Sequence, residues 1–554
     1  MLPQDAIKIA DKMRADFGPR QSTIDKCRRY GYQMRENGEP AWENSKLDPL
    51  EPLQTSFPAS CAWRLALYLH ANTIGVGSTF FELKPFSIKK DKTPSQITID
   101  ALSKASDKVM RRLMDTNFSA ACASAFNDVA VVGTAITYCE FNENNKSFRF
   151  KNFRVGDGTY YAQDSKGNPD QFCRFYKLSA KQAIQEFGDN CPEIIKKAIG
   201  NIQESSREFS FVWLVYPRQV FGETTCEGKF IDKSKKKYGS IVVELESNTI
   251  VQEGGFDSFP FAVLCWQQKD GKPYGWSPIE MSMPDIIYMS ELKDQIKESV
   301  LKQVTPPLAA PSTFQGISLK AGAINYVDSN QDLANKIVPL PVPENISLMS
   351  EAIVDCQQNI KLNLMLDAFE ALNAETKYMT ATEVKGRTSQ AVRAIAPIVI
   401  SVHNNYFSPL IKMALDTMVK NNEIEIPNKT DLDGIEVKYV SVIDSMLLQG
   451  QANQMLEFVS SIMNVVQAWA GLGDYINCFV DVGEVIRQFA EKYHVPAGTL
   501  YSKEEAQAKL DAFNQAQAQA QQAQINAAYI KPIDPQKAPQ EGSVASRNGK
   551  NFYS

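Results

Sequence analysis

Three histidines in 554 residues leave little material for histidine chemistry. His70, His403 and His494 stand apart, and neither H-x-x-x-H nor H-E-x-x-H occurs, so a zinc centre or a histidine base has no pattern to rest on. The ten cysteines are scattered: the nearest two, Cys122 and Cys139, lie 17 positions apart, and there is no C-x-x-C. That spacing excludes a zinc ribbon and a dense disulfide scaffold, and it points to a reduced, intracellular setting. No run approaches the roughly 18 consecutive apolar residues of a membrane-spanning helix. The opening MLPQDAIKIADKMRADFG has charges where a signal peptide would have its apolar centre. The expectation is a soluble chain with no membrane partner.

Loops that cradle phosphates are missing as well. The nearest approach to a Walker A loop runs from Gly222 to Gly228-Lys229, with five intervening residues and Phe230 where a magnesium-binding hydroxyl belongs. Gly75-Val76-Gly77-Ser78 lacks the third glycine and the preceding strand of a dinucleotide loop. No G-x-S-x-G elbow appears, and Gly156-Asp157-Gly158 reads as a turn. No catalytic residue, metal or cofactor is therefore expected. Lysine plus arginine number 59 against 64 acidic residues, a formal charge of −5, which excludes a protein whose whole surface coats nucleic acid.

What is present is an α+β chain long enough for several packed units. Residues 3–36 read as a basic helix broken at Gly18-Pro19, and TFFELKPF reads as a strand closed by Pro85. A helical stretch from about Ser95 ends near Gly133. After it, AITYCEF, SFRFKNFRV, FCRFYKLS, FSFVWLVYPRQVFG and GSIVVELES alternate apolar and polar residues, the signature of a mainly antiparallel sheet. From Pro284 the period changes. Met289, Leu292, Ile296 and Val300 define an amphipathic helix that Thr305-Pro306-Pro307 must end. Ile346, Met349, Ile353, Cys356 and Ile360 set out a second helical seam. A pattern from about Thr380 to Asn421 contains Pro397 and Pro409 and should be kinked or broken at both; EIEIP and IEVKYVSV then read as strands. The remainder to about Leu510 is helical, followed by the glutamine- and alanine-rich FNQAQAQAQQAQINAA, a helix former with few apolar anchors, and by an aperiodic tail.

The order of short motifs adds a second kind of information. Tyr274-Gly275-x-Ser277-Pro278, a helix, Pro306-Pro307-Leu308, Gly322-Ala323-Ile324-Asn325-Tyr326-Val327, Ile337-x-Pro339-Leu340, a helix, and Met379-Thr380-Ala381-Thr382-Glu383-Val384-x-x-Arg387 follow one another. Tyr160-Tyr161-Ala162, Gln182 and Glu186-Phe187-Gly188 precede them, and Ser502-Lys503-Glu504-Glu505 follows. This series, spanning about Leu50 to Leu510, resembles the portal, or head-to-tail connector, family of short-tailed phages.

The resemblance implies a ring, probably dodecameric in such families, at one capsid vertex, where a terminase motor drives double-stranded DNA through a central channel. It implies an arm and α+β wing over 1–283, stem helices over 284–303 and 344–366, and a small α/β clip over 304–343. A tunnel loop over 367–378, a kinked tunnel helix and wing return over 379–444, a helical crown over 445–528 and a flexible tail over 529–554 complete the scheme. The implied partners are further copies of the chain, the terminase large subunit, tail adaptors, and the major capsid and scaffolding proteins. The implied location is the virion vertex, after synthesis in the host cytoplasm. DNA-facing candidates are Lys377 and Tyr378 in the loop, with Lys385, Arg387 and Arg393 on the helix after it; each cation could instead form an ion pair, and Arg387 lies one helical turn after Glu383. Two other readings stand beside this one: another ring-forming head-tail adaptor, and a hydrolase with its site in the β-rich body.

Overall fold

The computed structural model describes residues 1–34, 52–74, 80–86, 96–142, 146–199, 206–223, 235–269, 271–305, 346–372, 381–425 and 434–440, with single positions elsewhere. The chain divides into two compact units, Met1–Gly450 and Gln451–Ser554. In the second unit the few described positions between 457 and 522 are helical apart from Tyr501. Otherwise the expected crown and tail lie outside the described residues.

Helix α1 (Pro3–Gly31) runs through the first unit without the break expected at Gly18-Pro19. Its buried side chains, Ala6, Ala10, Met13, Phe17, Ile24 and Cys27, keep helical spacing on both sides of the proline. Burial of that continuous face outweighs the one backbone hydrogen bond Pro19 removes. Helix α2 (Phe57–Thr73), strand β1 (Phe81–Phe86) and helices α3 (Gln96–Met114) and α4 (Phe118–Val132) follow. The single helical stretch expected here is interrupted at residues 115–117. α4 ends as expected at Gly133, whose φ of +80° suits glycine alone.

Two antiparallel sheets form the β-rich body. β2 (Thr134–Asn142) lies between β3 (Ser147–Arg154) and β9 (Phe261–Cys265). The other sheet has the order β4 (Thr159–Gln163), β5 (Pro169–Ser179), β6 (Glu208–Pro217), β7 (Tyr238–Glu244), β8 (Thr249–Phe256). Helices α5 (Ala180–Phe187) and α6 (Glu193–Ile199) cover part of it with Phe187 and Ile195, against Phe209 and Phe211. A larger core joins the sheets to α1, α2 and α4 through Phe80, Phe118, Phe126 and Phe172, each worth roughly 1.5–3 kcal/mol on burial.

A short helix, α7 (Pro278–Met281), leads into α8 (Met283–Val304), which ends where the two prolines require. Leu308–Ala309 (β10) pairs antiparallel with Val338–Pro339 (β11), so the segment expected to be the clip leaves and returns side by side. Helix α9 (Ile346–Asn363) then packs along α8. Asn359, near its end, reaches Asp285 at the start of α8, and the pair is antiparallel.

Residues 367–372, the start of the expected tunnel loop, are instead helical within α10 (Leu366–Leu372), because Leu366 and Phe369 are buried against the wing. Residues 373–378 lie outside the described residues. Helix α11 (Ala381–Val402) continues through Pro397. The register changes in a π-helical turn, His403–Phe407, just before Pro409 in helix α12 (Ser408–Lys420). The widened turn takes up the clash a proline makes with the preceding turn, and it buries His403, Tyr406 and Phe407 together. EIEIP is not a strand where it is described: 421–424 turns, and Ile424 is buried. Strand β12 (Gly434–Tyr439) crosses back to pair with β1.

Candidate nucleic-acid interface and assembly surfaces

The joint between wing and stem is built from the Tyr-Gly-x-Ser-Pro motif. Tyr274 packs its ring against Phe17 and Tyr161 and exchanges hydrogen bonds with the Tyr161 backbone. Gly275 passes so close to Gly133 that a Cβ on it would stand 2.4 Å from the Gly133 carbonyl oxygen. The crossing is fastened by three bonds: Gly275 N to Thr134 Oγ1 (2.9 Å), Trp266 N to Gly133 O (3.0 Å), and Arg20 Nη2 to Gly275 O (3.2 Å). Ser277 caps α7 by accepting from Glu280 N, and Arg20 pairs with the Glu280 carboxylate at 2.7 Å. The motif therefore anchors α8 to both the wing and the N-terminal helix.

Beyond this anchor the stem is only half covered. Ile286, Met289 and Leu292 of α8 are buried, as are Cys356 and Ile360 of α9. Farther out, Leu301 and Val304 are 57% and 75% exposed, and Leu348 is 64% exposed. Apolar side chains clustered at one end of a helix pair mark a surface that other protein covers. Helix α10 is held by Phe369, stacked on Tyr68 with ring centroids 5.7 Å apart, and by the Arg64–Glu370 pair at 3.7 Å. The spacing of Leu366 and Phe369 was the available sign of this helix.

Of the DNA-facing candidates, Lys377 and Tyr378 lie outside the described residues. Lys385 falls within α11, with its side chain outside the description, while Arg387 and Arg393 are exposed on that helix. Val392, Ile395 and Val399 fill the buried side of α11. The two arginines therefore mark a solvent-facing surface, and the structure gathers the candidates into no pocket.

Polar groups inside the wing are explained by packing. His70 bonds Ser119 Oγ at 2.8 Å, and burial holds its pKa below the usual imidazole value. His403 stacks on Tyr439 at 4.2 Å; His494 lies outside the described residues. Asp128 is 2% exposed and accepts from the Tyr32 hydroxyl at 2.5 Å, with Arg154 Nε at 3.4 Å. Desolvation wins over these partners and raises its pKa to about 6. Among the described residues no cluster of histidine, cysteine and carboxylate side chains could hold a metal, the eight described cysteines are free thiols, and no helix is long and apolar enough to cross a membrane.

An α+β wing joined to an antiparallel helix pair, with chain leaving and re-entering at the far end of that pair, is the architecture of a connector subunit rather than of a pocketed enzyme. The chain belongs to the bacteriophage head to tail connecting protein family, which matches residues 3–500. It is 25% identical over 366 residues to the portal protein of Salmonella phage epsilon15 (63% of each chain), and 24% identical over 319 residues to the probable portal protein of Bordetella phage BPP-1 (56% of each). The aligned parts thus span a little over half of these relatives.

Proposed function

We propose that copies of this chain form a ring, of twelve subunits, at one vertex of a phage capsid, and that the ring axis is the channel for packaging and ejecting double-stranded DNA. The exposed apolar end of the α8–α9 pair carries the reading, because neighbouring copies would cover it. The clip, between β10 and β11, docks the terminase large subunit during packaging and tail adaptors afterwards. The wing meets major capsid and scaffolding proteins. The tunnel loop with Lys377 and Tyr378, and α11 with Lys385, Arg387 and Arg393, face the channel. Twelve subunits at −5 each carry about −60, a wall that repels phosphates except at such sparse cations, so DNA slides instead of binding. The chain performs no chemical step itself and becomes part of the virion after synthesis in the host cytoplasm.

Electron microscopy of the purified full chain tests this. Twelvefold rings with an axial hole are the expected particles. A stable monomer under every assembly condition, scaffolding protein included, would overturn the proposal.

A further inference from the structure

The two sheets and helix α12 enclose a cleft of about 890 Å³ that the ring reading does not use. Its floor is one cross-strand row of the larger sheet: Arg174 of β5 stands opposite Trp213 of β6, Trp213 opposite Val242 of β7, and Val242 opposite Gln252 of β8. β8 is the edge of that sheet, with a strand partner on one side only among the described residues. Gly254 and Gly255 of β8 line the cleft too, so backbone is within reach there without side chains in the way. Tyr138 and Phe153 form the opposite wall; Lys420 comes from α12.

Arg174 is the unusual group. Its guanidinium lies over the Phe153 ring at 4.6 Å and the Tyr176 ring at 5.1 Å, yet among the described residues no carboxylate comes within the 4 Å of an ion pair. Asp157 and Glu186 act on it only from farther away. Rings over a guanidinium fix its plane and leave its N–H edge for a ligand, an arrangement suited to a carboxylate held by two bonds. Nearby, Lys236 (3.4 Å) and Lys420 (2.7 Å) share the single carboxylate of Asp257. Locally, cations exceed their partners.

We propose that this cleft binds an extended peptide segment that places a carboxylate on Arg174 and an apolar side chain against Trp213 and Tyr138, with its backbone along the β8 edge. Nucleic acid is the poorer fit. The described lining has five cations and five carboxylates, and so lacks the net positive field that phosphate backbones need. A strand added to a sheet edge takes its affinity from backbone bonds and its specificity from side-chain pockets, and the cleft offers both. This site is independent of the channel, and neither reading depends on the other.

The test presents the full chain to three immobilised hexapeptide libraries, randomised over apolar and aromatic residues, with glutamate, glutamine or lysine fixed at one position. The glutamate library should retain the protein at least tenfold better than the other two. Arg174→Lys keeps the charge but loses the fork, and should abolish the preference; Arg174→Gln should do the same, with near-ultraviolet circular dichroism reporting that the fold is intact. Equal retention by all three libraries, or an unchanged preference in a folded Arg174→Lys protein, would overturn the proposal. So would displacement of the protein from the glutamate library by micromolar oligothymidylate, which would mark a nucleic-acid site instead.

Discussion

Replacing Asp128 with asparagine isolates what it costs to keep a carboxylate among α1, α4 and β3. The group titrates at about 6 in the folded chain against an ordinary 3.8, a rise of about two units. At 1.36 kcal/mol per unit, this is about 3 kcal/mol. The sign follows from proton uptake. Between pH 4 and 6 the folded chain holds a proton that the unfolded chain has lost, so stability falls as pH rises through that window and stays low above it. Asparagine can still accept from Tyr32, and Arg154, which also lies over the Tyr32 ring at 4.6 Å, is 42% exposed and can be hydrated once its partner is gone. Asp128→Asn should therefore match the parent chain near pH 4 and exceed it by about 3 kcal/mol at pH 7. Hydrogen exchange of the α1 and α4 amides, compared between the two proteins at each pH so that intrinsic rates cancel, reads the difference directly. Opening free energies that stay parallel from pH 4 to pH 7 would refute the reasoning.

Gly275→Ala forces a methyl group onto the Gly133 carbonyl, where backbone must move, and should cost about 3 kcal/mol in urea unfolding. Gly18→Ala meets no atom within 4 Å inside α1 and should stabilise by about 0.5–1 kcal/mol in the same assay. Phe369→Ala removes a fully buried ring and should cost about 3–5 kcal/mol, seen first as faster exchange throughout α10. Val304→Glu alters a solvent-facing side chain and should leave monomer stability within about 0.5 kcal/mol, while gel filtration shows a reduced ring fraction.

Strong periodicity made the stem legible: apolar spacing gave α8 and α9, and two prolines gave the end of α8. The strands with alternating aromatics were equally plain, whereas β8, with Gln252-Glu253-Gly254-Gly255 at its centre, offers no alternation to read. Prolines misled in both directions. Pro19 and Pro397 stay inside helices because tertiary burial on either side offsets a local penalty that sequence alone shows. The motif that points to the family is explained by contact, since Gly275 must be small only because Gly133 lies against it, 142 positions away (275 − 133). The channel candidates follow another rule. Exposed cations on α11 have no periodic signature, so their role came from resemblance, and their placement on a solvent-facing surface is as much as one subunit conveys.

The pairing of β1 with β12 also sets a timetable for synthesis. The two strands are separated by 348 positions (434 − 86), and Phe80, beside β1, stacks in a cluster with Phe407. At roughly 5–20 residues per second, a ribosome takes about 20–70 seconds to supply the second strand after the first has emerged. Throughout that interval β1 presents an unpaired edge to the many nascent chains of a late infection, an open invitation to pair with the wrong copy. Pro85, within β1, has no amide hydrogen to offer such a copy. The strand thus carries a safeguard suited to the wait.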